Sequence, residues 1–257
     1  MVTRNSPLET KGLSVTFNPG SANEVVAFSD ITFDLKPDEI LAIVGPSGCG
    51  KSTLFNVIAG LQPATAGEVF VNGTRVLDAK GQVGYMLQKD MLLPWRTVRD
   101  NVALGLEVKG VPREERHATA DRLIASYGLK GFEESRPGTL SGGMRQRVAF
   151  MRTLALDPDV ILLDEPFSAL DFQTRTLLQG EVLEIIGKQR KSAILVTHDI
   201  GEAVTMADRV MILSRRPGRI KRIVEIDLRR DERDPVSLRS NAKYQEYFQL
   251  LWSELDI

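Results

Sequence analysis

The feature that most constrains this chain is a glycine-rich loop between a buried strand and a helix. Residues 45–53 read Gly-Pro-Ser-Gly-Cys-Gly-Lys-Ser-Thr, which satisfies the pattern Gly-x4-Gly-Lys-Ser/Thr of loops that bind phosphate. The apolar run 40–44 before it has the length of a buried parallel strand, and the stretch from Ser52 to about Ala59 has helical character. A chance glycine-rich turn is the alternative. With these flanks, the pattern favours a nucleotide-binding loop, here called the phosphate loop.

The phosphate loop predicts how ATP and Mg²⁺ would be held. Its glycines let backbone N–H groups converge on phosphate oxygens, and the helix start adds the positive end of its dipole. Lys51 would reach the β- and γ-phosphates, and Ser52 would coordinate Mg²⁺ through its hydroxyl. We interpret Cys49 as a steric neighbour of the nucleotide, so its alkylation should inhibit ATP hydrolysis and bound ATP should protect it. The loop residues expected to bind ATP are Gly45, Pro46, Ser47, Gly48, Cys49, Gly50, Lys51, Ser52 and Thr53.

Two adjacent carboxylates follow another apolar strand. The run Val160–Leu163 ends in Asp164 and Glu165. At the carboxyl end of a strand beside a phosphate loop, one carboxylate can hold Mg²⁺ or its water shell and the next can polarise an attacking water. Paired acids seen alone are about as often a solvated strand end. With the phosphate loop present, we assign Asp164 to the metal and Glu165 to the water.

Two further polar residues stand where strands end. His198 follows the apolar run 194–196, so its imidazole could bind the γ-phosphate by a hydrogen bond. Gln88 ends the strand 83–87 and could ligate Mg²⁺ while sensing movement of the helical segment that follows. A structural polar role is the alternative for either residue. The other histidine, His117, lies in a charged helical stretch and is interpreted as a surface residue.

The order of elements predicts an α/β fold. Alternating strands and helices imply right-handed crossovers and a mostly parallel sheet, while the period-2 runs near residues 13–35 and the Asn72-Gly73 pair predict antiparallel strands. Residues from about 89 to 157 have helical spacing and form an inserted helical lobe. We place the main domain at 11–228. A charged linker and a C-terminal helix occupy 229–257.

The C-terminal helix carries an apolar stripe at one-turn spacing. Its members are Tyr244, Phe248, Leu251 and Leu255. Such a stripe most often docks on the parent domain, and a helix that binds a partner is the alternative.

The composition excludes several classes of function. Thirty-three basic and 34 acidic residues leave a formal net charge of −1, so there is no global basic footprint for nucleic acid. The single cysteine excludes an intrachain disulfide and a multi-cysteine metal site. No run of about 18 apolar residues is present, and the first residues lack the apolar core of a signal peptide. Membrane association would therefore need a partner.

The segment Leu140-Ser-Gly-Gly-Met-Arg-Gln-Arg147, called here the signature segment, makes the chain closely resemble the ATPase subunits of ATP-binding cassette (ABC) transporters. The phosphate loop, Gln88, Asp164-Glu165, the segment 168–171 and His198 occur in that family's order. The resemblance extends from about Leu13 to Leu213. It implies a P-loop NTPase fold of the ABC type, with an antiparallel β subdomain, a mostly parallel core sheet and an inserted helical subdomain.

The resemblance also implies an ATP hydrolase that works as a homodimer. In the family, the signature segment of one subunit closes over the ATP held by the other. Here Ser141, Gly142 and Gly143 would present a hydroxyl and backbone amides at a helix start. Asp171 would link the two sites, and Phe17 matches the aromatic that stacks on adenine. Core packing is the alternative for Phe17.

A narrower resemblance points to importers. The segments 93–98 (Leu-Pro-Trp-Arg-Thr-Val) and 215–219 (Arg-Arg-Pro-Gly-Arg) look like those of nitrate, sulfonate and taurine importer ATPases. It implies integral membrane permease subunits as partners, a periplasmic or extracellular solute-binding protein as an indirect one, and a place at the cytoplasmic face of the inner membrane. Trp95 would meet the permease. A buried aromatic residue without a partner is the alternative.

Two other classes of cassette ATPase compete with this interpretation. Cassettes of DNA repair or chromosome organisation carry coiled-coil or zinc-binding insertions, for which the segment between Gln88 and Ser141 is too short and too poor in cysteine. Ribosome-associated cassette proteins would need two tandem cassettes and a basic linker, whereas this chain has one. We therefore expect no nucleic-acid partner.

Overall fold

The computed structural model describes residues 6–78, 82–230 and 233–255. Its strands are β1 (Leu8–Phe17), β2 (Val25–Leu35), β3 (Ile40–Val44), β4 (Ala66–Val71), β5 (Thr74–Arg75), β6 (Gly84–Met86), β7 (Val160–Asp164), β8 (Ser192–Val196), β9 (Arg209–Leu213) and β10 (Ile220–Glu225). Its α-helices are α1 (Lys51–Ile58), α2 (Val98–Val102), α3 (Leu104–Val108), α4 (Arg113–Ser126), α5 (Gly142–Leu154), α6 (Phe172–Gln189), α7 (Ile200–Met206) and α8 (Ala242–Glu254).

The strands form two sheets. The first has the order β2-β1-β4-β5 with antiparallel neighbours. The second has the order β10-β9-β3-β8-β7-β6, and its neighbours are parallel except for the pair β10 and β9. The expected fold, with an antiparallel β subdomain beside a mostly parallel core sheet, is confirmed.

The centre of the second sheet explains why its strands read as continuous apolar runs. Every residue of β3, β7, β8 and β9 is buried, because helices and the first sheet cover both faces. The carboxyl ends of these parallel strands lie at one edge of the sheet. The loops that follow β3, β6, β7 and β8 therefore emerge together, and they carry most of the predicted site residues.

Helices α2 to α5 occupy the chain between β6 and β7, as the helical spacing predicts. Thr97 begins this segment as the N-cap of α2, where its side chain accepts a hydrogen bond from Asp100 N. The buried Asn101 ties the preceding loop down, since its Oδ1 accepts from Leu93 N at 2.8 Å. The lobe is thus anchored at the end that carries Trp95.

The C-terminal helix packs on the main domain. Tyr244, Leu251 and Leu255 are buried in the larger core cluster, and Phe248 is partly buried against it. The preceding Arg233 is also buried, and its Nη1 donates to Ala207 O at 2.8 Å. The apolar stripe therefore docks on the parent domain, as its spacing predicts. The division of the chain at residue 228 stays a prediction, and residues 231–232 of the charged linker lie outside the described residues.

The helices among the described residues are all too short or too polar to cross a membrane.

Candidate active site

The phosphate loop owes its path to two glycines. Gly48 has φ +77° and Gly50 has φ +101°, values in the left-handed region that other residues rarely adopt. A Cβ on Gly50 would lie 3.2 Å from Ala27 O, so the close approach of β2 also leaves little room for a side chain there. The loop ends at Gly50 and α1 begins at Lys51, which leaves the first amides of the helix directed at the loop.

The ammonium of Lys51 lies within the curve of the loop. Its Nζ donates to Gly45 O at 2.7 Å and to Pro46 O at 3.0 Å, and the residue is 9% exposed. A buried cation beside a ring of backbone amides is an arrangement that binds polyphosphate.

The thiol of Cys49 lies beneath the loop. The residue is 1% exposed and belongs to the core cluster that contains Phe28, and its Sγ is 3.8 Å from Lys51 Nζ. The turn after β9 packs behind it, because a Cβ on Gly218 would lie 2.2 Å from Cys49 O. The role of Cys49 as a steric neighbour of the nucleotide stays a prediction, and the structure adds that its thiol is buried in the core beneath the loop. Because the fold already shields the thiol, we expect alkylating reagents to react with it slowly even when no ATP is bound.

Asp164 and Ser52 bring two oxygen ligands together. Asp164 ends β7 and is 7% exposed. Burial raises the pKa of its carboxyl, and a hydrogen bond with Ser52 opposes that rise. Tyr85 Oη also lies 3.4 Å from Asp164 Oδ2. A hydroxyl and a carboxylate side by side are the kind of oxygen donors that Mg²⁺ prefers.

Glu165 contacts the two polar residues that were singled out at other strand ends. Gln88 Nε2 donates to Glu165 Oε2 at 2.9 Å, and His198 Nδ1 lies 3.3 Å from the same oxygen. Glu165 has φ +45°, a strained value for a residue other than glycine, and its N donates to Val196 O at 2.9 Å. Three neighbouring strands, β6, β7 and β8, thus converge on one carboxylate oxygen.

A cleft of about 740 Å³ opens over the phosphate loop. It is lined by Val44 to Gly48, His198, Arg215, Arg216 and Leu255. Two arginines beside the loop add positive charge where a polyphosphate would lie. Their segment pointed only to a narrower family resemblance in the sequence, and the structure adds this placement. Phe17 ends β1 with 39% of its surface exposed, and it is not among the described residues that line this cleft.

The signature segment and Asp171 form a second cluster on the same chain. Ser141 is the N-cap of α5, and its Oγ accepts from Met144 N at 3.3 Å. Gly143 lets α5 approach α6, because a Cβ there would lie 2.5 Å from Thr174 Cγ2. Asp171 caps α6 by accepting from Thr174 N at 3.1 Å, and hydrogen bonds from Thr174 lower the pKa of this exposed carboxyl. Gly142 stands between Ser141 and Gly143, at the first position of α5.

The structure excludes one interpretation of Trp95 and corrects the one given for His117. Trp95 is 68% exposed, so the alternative of a buried aromatic residue is wrong. His117 is more enclosed than a surface residue, since its side chain is 19% exposed and its Nε2 lies 3.1 Å from Asp100 Oδ1. It contributes to the packing of the helical lobe.

A polar network beside His198 was not predicted from the sequence. Thr197 Oγ1 donates to Glu202 Oε2 at 2.7 Å, and Arg175 Nη1 donates to Asp199 Oδ2 at 3.3 Å. Burial raises the pKa of Glu202 to about 8, and the hydrogen bond from Thr197 opposes the rise. An acidic residue within the apolar stretch Ile200–Met206 was the available signal, because such a residue is seldom buried without a partner.

Comparison with known proteins gives one family and several relatives. The family model described as ABC transporter matches residues 28–168. The taurine import ATP-binding protein TauB of Roseobacter denitrificans is 39% identical over 254 residues, which cover 95% of this chain and 94% of the relative. The aliphatic sulfonates import ATP-binding protein SsuB 2 of Burkholderia cenocepacia is 42% identical over 223 residues, with coverages of 86% and 81%. The nitrate import ATP-binding protein NrtD of Synechocystis sp. is 42% identical over 229 residues, with coverages of 89% and 86%.

A solved structure is similar as well. It is the dimeric structure of a post-hydrolysis state of the ATP-binding cassette MJ0796 bound to ADP and Pi. It has a TM-score of 0.74 and 29% sequence identity, and the match covers 86% of this chain and 100% of that chain.

Proposed function

The chain belongs to the ABC transporter family, and we propose that it is the ATP-binding and ATP-hydrolysing subunit of an importer for nitrate, a sulfonate, taurine or a similar small solute. The names of the three relatives support this class of solute. One observation carries the catalytic part of the proposal. Glu165 Oε2 is held by Gln88 and His198, at the sheet edge that also carries the phosphate loop.

The proposal gives ATP and Mg²⁺ to residues whose chemistry fits them. The amides of the phosphate loop and Lys51 Nζ would bind the phosphates, and Phe17 would stack on adenine. Ser52, Gln88 and Asp164 offer a hydroxyl, an amide oxygen and a carboxylate, which form an all-oxygen donor set suited to Mg²⁺. When bound, the cation would neutralise charge on the phosphates.

In the proposed reaction, Glu165 positions and polarises the water that attacks the γ-phosphate. Its carboxylate already has a fixed direction, since Gln88 and His198 hold one of its two oxygens. The other oxygen is left to accept a proton from water. Because Nδ1 of His198 faces Glu165, Nε2 is the nitrogen that would donate to a phosphate oxygen. Catalysis of this kind depends on positioning and charge more than on covalent chemistry.

Two copies of the chain would complete each site. Ser141, Gly142 and Gly143 lie at the N-terminus of α5, where hydroxyl and amide donors favour an anion. In the proposed homodimer they close on the nucleotide of the other copy, and Asp171 lies in the loop between the two sites. The dimeric state of the similar cassette supports this arrangement.

The remaining partners follow from the importer assignment. We place the dimer at the cytoplasmic face of the inner membrane, bound to integral permease subunits. A periplasmic or extracellular solute-binding protein would act on it only indirectly. Trp95 projects an exposed aromatic surface beside the Gln88 loop, and such a surface suits contact with a permease helix. The near-neutral net charge of −1 gives no support to a nucleic-acid partner.

The substitution Glu165→Gln tests the proposal. The amide keeps the size and the contacts of the side chain but cannot take a proton. We expect ATP turnover to fall by about 100-fold or more, while ATP binding persists and a stable ATP-dependent dimer accumulates. Turnover is measured by phosphate release, and the dimer by size-exclusion chromatography with and without Mg-ATP.

Lys51→Ala serves as the matched control, because it should weaken nucleotide binding itself. Wild-type hydrolysis by Glu165→Gln would contradict the role of Glu165, and unchanged nucleotide affinity in Lys51→Ala would contradict that of the phosphate loop. To identify the solute, the chain would be purified with its permease, and candidate ligands of the associated binding protein would be tested for stimulation of ATP turnover.

A further inference from the structure

Arg175 joins two loops of the site at one side chain. Its Nη2 donates to Leu170 O at 2.9 Å, and its Nη1 donates to Asp199 Oδ2 at 3.3 Å. Leu170 precedes Asp171 in the 165–171 loop, and Asp199 follows His198 in the 197–199 loop. The guanidinium therefore spans the loop that carries Glu165 and the loop that carries His198.

Each of the two loops is also held by hydrogen bonds that do not involve the Arg175 side chain. In the 197–199 loop, Asp199 N donates to Thr197 Oγ1 at 3.0 Å, and that hydroxyl donates to the buried Glu202 at 2.7 Å. Asp199 Oδ1 in turn caps α7 by accepting from Glu202 N at 3.1 Å. Asp199 thus accepts from α7 through one carboxylate oxygen and from Arg175 of α6 through the other. The position of α6 is therefore coupled to the backbone next to His198.

The 165–171 loop is fixed in a similar way. Ser168 Oγ donates to Glu165 O at 3.0 Å, and Arg175 N donates to Asp171 O at 2.9 Å. Leu170 O would otherwise lie at a loop position without a strand or helix partner. Arg175 supplies that partner from the first turns of α6.

We propose that Arg175 is a positioning residue for ATP hydrolysis, which holds the 165–171 loop and the 197–199 loop in register so that Glu165 and His198 stay 3.3 Å apart. This inference rests on the proposed function, because it concerns the alignment of the groups assigned to water and phosphate. Arg175 acts only through backbone and carboxylate contacts.

The chemistry of the side chain fits this role. Arginine presents donors in a rigid planar fork and can serve two acceptors at fixed angles, which lysine cannot do. Arg175 Nε is buried with no hydrogen-bond partner among the described residues. The guanidinium thus donates from its two terminal nitrogens to Leu170 and Asp199, while its Nε donates to no described residue.

The bridge matters more for alignment than for stability. The side chains of Arg175 and Asp199 are 29% and 34% exposed, and ion pairs at such exposure contribute little to folding. A small misplacement of catalytic groups can cost a large factor in rate. Loss of Arg175 should therefore reduce kcat while the thermal unfolding midpoint and the affinity for nucleotide hardly change.

The experiment compares Arg175→Met, Asp199→Asn and the double variant in the full chain. Methionine keeps the length of the side chain without its donors, and asparagine keeps Oδ1 as the cap of α7. We expect kcat to fall about tenfold or more in each single variant, with little change in KM for ATP. The double variant should be no slower than the worse single variant, because both remove the same bridge.

Arg99→Gln is the matched control. Arg99 is similarly enclosed, at 23% side-chain exposure, and pairs with Asp121 and Glu134 in the helical lobe, far along the chain from the site loops. Its variant should keep the wild-type kcat.

Three results would overturn the proposal: an unchanged kcat in Arg175→Met, multiplicative losses in the double variant, or full recovery of kcat in Arg175→Lys, which keeps the charge but not the fork. Glu165→Gln separates this outcome from a failure of the proposed function. If Glu165→Gln abolishes turnover while Arg175→Met does not affect it, only the positioning role is wrong. If Glu165→Gln retains full turnover, the assignment of the site itself is wrong.

Discussion

The buried carboxyl of Glu202 predicts a measurable dependence of stability on pH. The residue is 6% exposed, and burial raises its pKa from 4.5 to about 8, against the opposing hydrogen bond from Thr197. The charges of Asp199 and Glu165 raise the pKa further, and Arg175 lowers it. We therefore expect Glu202 to be protonated in the folded chain at neutral pH. In the unfolded chain it would ionise once the pH exceeds its ordinary pKa of 4.5.

The sign of the effect follows from the protons bound in each state. Between pH 4.5 and about 8, folding takes up a proton at Glu202, so the free energy of unfolding falls as pH rises. The slope from this group is about 1.4 kcal/mol per pH unit. Below that window both states are protonated and the group has no effect.

Glu202→Gln removes this titration while it keeps the size of the side chain and an oxygen that can accept from Thr197. The free energy of unfolding of the variant, minus that of the wild type, should rise by roughly 2 to 3 kcal/mol from about pH 5.5 to about pH 7.5, two pH units at or just below the slope above. Urea unfolding followed by circular dichroism at a series of pH values measures this difference.

The control is Glu114→Gln, a change at an exposed position in the first turn of α4. Its difference from the wild type should stay flat over the same range. Parallel curves for the wild type and Glu202→Gln would show that Glu202 is already ionised in the folded chain, and would refute the reasoning.

Two other predictions concern nucleotide. Ser141→Arg should leave ATP binding by the single chain intact but reduce turnover by about 100-fold or more, because it places a bulky cation where a second copy must close on the nucleotide; a monomeric variant with full turnover would contradict the shared site. Cys49 should react slowly with a maleimide even without ATP, since 1% of the residue is exposed; mass spectrometry over time checks this, and rapid labelling that only ATP prevents would contradict the buried position.

Much of the fold could be predicted because local signals and tertiary environment agree. The apolar runs at 40–44 and 160–163 became buried parallel strands, and the Asn72-Gly73 pair became the turn between β4 and β5. Strand β10 was missed. Its sequence, Ile-Lys-Arg-Ile-Val-Glu, has the burial of an edge strand, and only its pairing with β9 gives it that structure.

The residues of the candidate site fall into those that the sequence could identify and those that it could not. Residues whose roles depend on a contiguous motif or on a strand end could be named from the sequence, and the structure brings Gln88, Glu165 and His198 into contact. Arg175 and Glu202 carry no motif. Their importance comes from where helices α6 and α7 place them, which a single sequence does not reveal. The burial of the Cys49 thiol was likewise not evident from the sequence.

The turn that contains Gly218 has a consequence for how this chain can vary. Gly218 N donates to Ala27 O and Gly218 O accepts from Ser29 N, both at 2.9 Å, so the turn is bonded to β2. A Cβ at Gly218 would lie 2.2 Å from Cys49 O. A side chain at 218 would therefore force the backbone at Cys49 or the turn itself to shift. The shape of the phosphate loop thus depends on a residue that is not among those lining the cleft, and we expect alanine at 218 to change nucleotide affinity.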